Sequence, residues 1–460
     1  MSERFPKVSV GIDVSAGTQP ILGAPESDTP FRMLILGDFS GRGLRGERAP
    51  LAGRRPVAVD SDNLDQVLAS LSPSVQLPQG VLRFRALDDF HPDHIYQHAD
   101  AFRKLADLRH QPAPVPAAPR ETPRPAMPTA LASGRSLLES MMEQSDEEPA
   151  SRVVEAPDAM AEFIKRAVEP HLAPRQDPRQ AEWAARVDAA AGEQMRAILH
   201  HPHFQSLEAA WRAVAMLVDR LQPDTDLKIY VFDASIEELM ADSAALEQFL
   251  VGHALACPWS LIVGNFVFGQ TAADAAKLRW LGRLAASLGA PFLGEAVPPS
   301  DPSPGPEWQE LVHSPEARWI GLALPRFLLR LPYGKDTAPA EQLDFEEMPE
   351  SVHADYLWGN PAFFCACVLG LAFRGDGWEM RPARHREIGS LPQHIYRADG
   401  ESVAKPCAEV LLTDTAAEFI LDNGFMPLAS MKDQDSVLLV RLQSIADPPA
   451  PLSGRWGMLS

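Results

Sequence analysis

Three imidazoles within four positions, His200, His201 and His203 around Pro202, are the densest group of potential metal ligands in this chain. Histidine binds zinc and titrates near neutral pH. A metal needs three or four converging ligands, and no Glu-x-x-His or cysteine pattern accompanies these three. The segment reads instead as a turn between two helices. Gly37-Asp38-Phe39-Ser40-Gly41-Arg42-Gly43 follows an apolar run as a phosphate cradle would. It lacks the Gly-Lys-Ser/Thr of a P-loop, and Asp38 would repel a phosphate. No βαβ unit carries the fingerprint of a dinucleotide site. Cys365 and Cys367 lie in the apolar run Phe363-Phe364-Cys365-Ala366-Cys367-Val368-Leu369, where buried thiols are expected rather than a zinc or redox pair. Without a nucleophile elbow or a defensible pair of acid/base carboxylates, the sequence predicts no enzyme, metal site or cofactor.

The elements that hold these residues alternate between strand and helix. Met33-Leu34-Ile35-Leu36 reads as a buried strand and Pro56-Val57-Ala58-Val59 as another. Asp62 to Leu68 starts a helix behind an acidic cap, Val81 to Arg85 returns as a strand, and Asp88-Asp89-Phe90-His91-Pro92 caps a further helix. Helices are expected at 157–169, 178–199, 205–221, 235–249 and 271–288. Strands are expected at 227–232, 260–264 and 319–324. Such alternation defines an α/β fold. Near the start, Val8, Val10, Ile12 and Val14 alternate with polar residues over 7–15. That pattern predicts an extended strand able to pair within its own domain or with another subunit.

Seven prolines among the seventeen residues 112–128 mark a semi-rigid linker. Beyond it Leu137, Leu138, Met141 and Met142 fall on one face of a short amphipathic helix. The expected organisation is an α/β domain over 1–110, a linker over 111–135, a helical region over 136–200, an α/β domain over 201–445 and a tail over 446–460. Sixty-two acidic against forty-two basic side chains give a net charge of −20, which argues against general nucleic-acid binding. Four scattered cysteines exclude a disulfide framework. No run approaches a membrane span and no signal peptide opens the chain, so membrane insertion is not expected and a cytoplasmic location is.

Two ordered series of motifs carry a family resemblance. Phe31-Arg32-Met33-Leu34-Ile35-Leu36-Gly37-Asp38-Phe39-Ser40-Gly41-Arg42, then Arg54-Arg55-Pro56-Val57, then Leu82 to Pro92 resemble the small sheath subunit of bacterial type VI secretion systems, TssB or VipA. His200-His201-Pro202-His203-Phe204-Gln205-Ser206-Leu207-Glu208-Ala209-Ala210-Trp211-Arg212 resembles the large subunit, TssC or VipB. So do Leu324 to Gly334, Tyr356-Leu357-Trp358-Gly359-Asn360 and Asn423 to Leu428. The family makes these as two polypeptides, whereas here one chain resembles both. The resemblance implies two sheath-type α/β units packed together, with an N-terminal extended strand and a proline-rich linker. It implies assembly rather than catalysis. Its partners would be sheath subunits or copies of itself, the Hcp tube, baseplate components and a ClpV-type unfoldase, the last through the helix bearing Leu137, Leu138, Met141 and Met142. Val8, Val10, Ile12 and Val14 would form the inter-subunit strand.

The departures from the family pattern bear on the role. Where the large subunit usually reads Gly-Asp-Tyr-Glu-Phe, this chain has Gly264-Asn265-Phe266-Val267-Phe268 and loses both carboxylates. The small-subunit half lacks the family's helical tail, and the large-subunit half ends soon after 440, before strands that interlock neighbouring subunits. These departures favour a cap, initiator or baseplate adaptor. A self-sufficient contractile protomer and a soluble regulator of sheath subunits remain the alternatives.

Overall fold

A computed structural model describes residues 25–26, 28–111, 178–254, 257–298, 304–398 and 400–458. The expected strand over 7–15 and the expected helices over 136–143 and 157–169 lie outside them. The chain divides into a compact unit formed by residues up to Leu105 and from Ala190 onward, and a smaller unit, Ala106–Ala189.

The larger unit is organised by one nine-stranded sheet. In chain order its strands are β1 (Phe31–Gly37), β2 (Val57–Val59), β3 (Leu227–Asp233), β4 (Leu261–Phe268), β5 (Phe292–Ala296), β6 (Ile320–Leu324), β7 (Glu387–Ile388), β8 (Met426–Ser430) and β9 (Val437–Leu439). Their order across the sheet is β7-β9-β8-β6-β5-β4-β1-β3-β2. The central strands are parallel, while β2, β7 and β9 pair antiparallel towards the edges. The expected α/β class is therefore present, and the two halves do more than abut. β1, from the first half, lies between β3 and β4 of the second. Phe31 stands opposite Leu227, and Met33 stands opposite both Ile229 and Leu261.

The composition of β1 explains its place. All seven of its residues are buried. Successive side chains point to opposite faces, so Phe31, Met33 and Ile35 enter one core and Leu34 and Leu36 the other. A strand covered on both faces has no use for polar alternation, hence the continuous apolar run. The first core is closed by α3 (Pro202–Leu221) and α5 (Pro361–Asp376), together with the first half's α1 (Leu64–Leu71) and α2 (Pro92–His98). The second is closed by the helices Ile236–Ala241 and Ser243–Ala254, by α4 (Ala272–Leu288) and by Pro306–Val312. On α3, Phe204, Leu207, Trp211, Val214, Leu217, Val218 and Leu221 recur at helical spacing and are all buried.

The smaller unit is described only near its two ends. There Arg109 pairs with Asp188 at 3.0 Å, and the indole of Trp183 donates to the carbonyl of Leu108 at 2.9 Å. Gln180 donates to the carbonyl of Gln111 at 3.1 Å. These bonds join segments about 70 positions apart, because |i−j| is 69 for the last of them.

Candidate assembly interface

The surface that brings the two halves together is built on a buried polar cluster. It begins where β1 ends. The backbone N–H groups of Phe39 and Ser40, in the turn after β1, both donate to Oδ1 of Asp233 at 2.9 Å. Asp233 is the last residue of β3, so a carboxylate of the second half occupies the amides that a phosphate would have needed. Gly41-Arg42-Gly43-Leu44-Arg45-Gly46 has the spacing Gly-x-Gly-x-x-Gly, yet it closes into a short 3-10 turn at Gly43–Arg45 rather than opening a helix. The faint phosphate cradle is thus an internal clasp. Gly43 is needed for close approach, because a Cβ there would lie 2.8 Å from Cβ of Ser235.

Two arginines of the first half complete the clasp. Arg42 reaches Oδ2 of Asp233 at 2.7 Å. Arg54 forks onto Glu238, with Nη1 to Oε2 at 2.9 Å and Nη2 to Oε1 at 2.8 Å, and also donates to the carbonyl of Asp233 at 2.7 Å. Two-pronged guanidinium–carboxylate pairs are among the stronger polar contacts and fix orientation as well as distance. Glu238 further accepts from the N–H of Ala49 at 2.9 Å and of Ser235 at 3.1 Å, the latter half of a capping box with Ser235. Burial would raise the Glu238 carboxyl. The Arg54 bonds and the Ala49 and Ser235 amides outweigh it and hold the group at about 2.

Aromatic contacts seal the same joint. The indole N–H of Trp211 donates to the carbonyl of Phe39 at 2.9 Å, and the two rings meet edge to face at 5.4 Å. Phe84 and Phe90 stack at 4.1 Å, and the edge of Phe204 packs against both. Trp378 donates to the carbonyl of Thr29 at 2.7 Å, while Arg32 lies over the rings of Tyr230 and Trp259. Asp93 accepts from the N–H groups of Glu341 and Gln342 at 3.0 and 2.8 Å. Apart from the Phe84–Phe90 stack, which lies within the first half, each of these contacts joins a residue before 105 to one after 190.

His201 caps α3, its Nδ1 accepting from the N–H of His203 at 3.2 Å, with Pro202 at the first helical position. His91 does the same for α2 ahead of Pro92, accepting from Asp93 at 3.3 Å. His200 turns away to Glu347 and Asp355, at 3.6 and 3.4 Å. The three histidines do not converge, and among the described residues no group of three ligands could hold a metal ion. Cys365 and Cys367 are buried on α5, where burial pushes each thiol up to about 12. Val8, Val10, Ile12, Val14, Leu137, Leu138, Met141 and Met142 lie outside the described residues. Asp233 and Glu238 escaped the sequence reading, although Ser235-x-x-Glu238 is the capping-box signature and could have flagged the helix start.

A second polar cluster lies within the later half. Arg330 forks onto Glu208, at 2.8 and 3.3 Å, and onto Glu347, at 2.7 and 3.0 Å. Arg212 joins Glu208 at 2.7 Å and the hydroxyl of Tyr333 at 2.8 Å. This cluster fixes the start of α3 against the loop that follows β6.

Residues 181–299 and 305–446 match the family described as "EvpB/VC_A0108, tail sheath N-terminal domain". Residues 3–115 match the family described as "Type VI secretion system, VipA, VC_A0107 or Hcp2". The chain belongs to the type VI secretion sheath family and carries the small-subunit and large-subunit parts in one polypeptide. It is 32% identical over 302 residues to the type VI secretion system sheath protein TssC1 of Pseudomonas aeruginosa, covering 57% of this chain and 61% of that protein. No helix among the described residues is long and apolar enough to cross a membrane.

Proposed function

We propose that this chain is a sheath-like accessory of a type VI contractile apparatus, acting as a cap, initiator or baseplate adaptor through contacts with sheath subunits in the cytoplasm. Its work is mechanical. The clasp and the shared sheet hold the two halves as one body that transmits force between neighbours, and no bond is made or broken. The observation that carries the accessory role is Val267. It is 54% exposed at the carboxyl end of β4, where the family pattern has a carboxylate. A protomer interchangeable with its neighbours would be expected to keep that surface chemistry, whereas an end piece meets a different neighbour.

A self-sufficient protomer is the second reading. It is favoured by β1 sitting centrally between β3 and β4, which gives one polypeptide the joined core of both subunits. Electron microscopy of the purified chain alone separates the two. Discrete particles are expected for the accessory. Ordered tubes or stacked rings would overturn it in favour of the protomer.

A further inference from the structure

At the carboxyl ends of β1, β3, β4 and β5 the sheet opens into a cleft of about 370 Å³, lined among others by Asp38, Glu237, Val267, Glu295, Arg326 and Trp358. The carboxyl edge of a parallel sheet is where open α/β folds take their ligands. Charges in this cleft do not cancel. Arg326 is committed to Glu409, donating from Nε at 2.9 Å and Nη2 at 2.5 Å. Asp38 accepts from the N–H of Leu44 at 3.1 Å. The Glu295 side chain, on β5, has neither a hydrogen bond nor an ion pair among the described residues, although its backbone is paired in the sheet.

A carboxylate withdrawn from water without a cation is costly, and such a group takes up a proton instead. Burial pushes the Glu295 carboxyl up to about 7, with Arg326 pulling it down and Glu409 pushing it up. Its register partner on β4 is Val267, so two neighbouring positions on one face of the sheet offer a carboxylate and an exposed apolar surface. Trp358 adds an aromatic wall. An acid beside apolar and aromatic surface suits a charged nitrogen carried on a carbon chain.

We propose that this cleft binds an organic cation, a guanidinium or primary ammonium group whose N–H donors engage the Glu295 carboxylate while its carbon chain lies against Val267 and Trp358. The same chemistry is offered by an arginine or lysine side chain of another polypeptide and by a free polyamine. The inference is independent of the accessory role.

The test is carbon-13 NMR of the full chain labelled at the glutamate carboxyl, with the Glu295 resonance identified by its loss in Glu295→Gln. N-acetylargininamide stands for a protein side chain, spermidine for a free polyamine and N-acetylcitrullinamide for an uncharged control. At least one cation should saturate and lower the midpoint of Glu295 by about one unit, a tenfold change in proton affinity, while the citrulline compound leaves it in place. Tighter binding of the argininamide assigns a side chain, and tighter binding of spermidine a free amine. A midpoint unmoved by both cations, or moved equally by the citrulline compound, overturns the proposal. Val267→Lys guards against a Glu295→Gln chain that does not fold, because position 267 is exposed. It should supply the cation from within, lowering the Glu295 midpoint with no probe and weakening probe binding at least about tenfold. A folded Val267→Lys chain with an unchanged midpoint and undiminished probe binding overturns the proposal equally.

Discussion

Arg54 and Glu238 stand 184 positions apart and meet in a two-pronged ion pair in which the carboxylate side chain is only 1% exposed. The carboxylate also holds the Ala49 amide and lies 3.5 Å from Nε of Arg42. Removing it leaves the Ala49 and Ser235 amides without their acceptor and takes the forked partner from Arg54, which keeps only the Asp233 and Ala49 carbonyls, while Arg42 keeps Asp233. Loss of one partner of a buried pair costs about 3–5 kcal/mol. Glu238→Ala should therefore lower unfolding stability by about 3 kcal/mol, since Arg42 and Arg54 keep some solvent contact. Urea denaturation gives the number, and a cost under about 0.5 kcal/mol would place the pair among surface bridges of little consequence.

The shared sheet makes a different prediction about the linker. β1 is bonded to a neighbour on each side and buried on both faces, so its hold does not depend on covalent continuity. A protease site placed within 112–128 and cut after folding should leave two fragments that co-elute at one-to-one stoichiometry in size exclusion. Separation of the fragments under native buffer would show that the tether, and not the sheet, keeps the halves together.

His91 and His201 give the joint a pH dependence. Each ring caps a helix through an unprotonated Nδ1. Burial lowers both below the ordinary value of 6.5. Arg212 and His94 add to this at His91 and are opposed by Asp93, while His203 adds to it at His201. A depressed histidine binds fewer protons folded than unfolded, so its contribution is present above 6.5 and lost as pH falls below it. An N-cap is worth about 1 kcal/mol, and two of them set the scale. The contribution of the two caps should drop between pH 7.5 and pH 5.5, against the opposite slope of the raised Glu295 carboxyl. In urea titrations the native chain should therefore lose stability over that interval relative to His91→Asn with His201→Asn, whose caps do not titrate. An equally steep fall in the double variant would assign the pH dependence to other groups.

Much of this architecture could be read from the residues. The apolar run at 33–36 announced a strand covered on both faces, and the helix of Ala272–Leu288 appeared within a residue of its expected bounds. Hairpin Ser74–Leu77 with Gly80–Arg83 was half missed, because Ser74 and Gln76 interrupt any clean apolar pattern. The helix expected behind Asp88-Asp89-Phe90-His91-Pro92 ends at His98, and the extended backbone of Ala99 separates it from a second helix, Asp100–His110. The helix expected over 235–249 stops at Ala241 and restarts at Ser243. The clasp was less legible. Arg42 and Arg54 lay inside recognised motifs, but their partners Asp233 and Glu238 are nearly 200 positions away. No local pattern encodes a pairing that only the shared sheet creates.

Arg330 tests how a buried charge cluster contributes to the fold. It is the hub between Glu208 and Glu347, whose side chains are 0% and 1% exposed. Burial would raise the Glu347 carboxyl, but Arg330, His200 and the Tyr333 amide outweigh it and hold it at about 2. Removing the hub alone leaves two carboxylates facing each other in the interior. Arg330→Met should cost about 3–5 kcal/mol, and Glu347 should then titrate well above 2, within reach of a carboxyl-carbon NMR titration. Replacing the hub and both acids together, as Arg330→Met with Glu208→Gln and Glu347→Gln, removes the unpaired carboxylates and leaves Arg212, 21% exposed and still bonded to the Tyr333 hydroxyl, as the remaining arginine of the cluster. Most of the loss should return, because a buried ion cluster is often worth no more than a neutral replacement of similar volume. The comparison is made by urea denaturation of the single and triple variants at pH 7. A triple variant less stable than Arg330→Met would show that the acids contribute beyond their pairing with Arg330, through the bonds from Arg212, His200 and the Tyr333 amide.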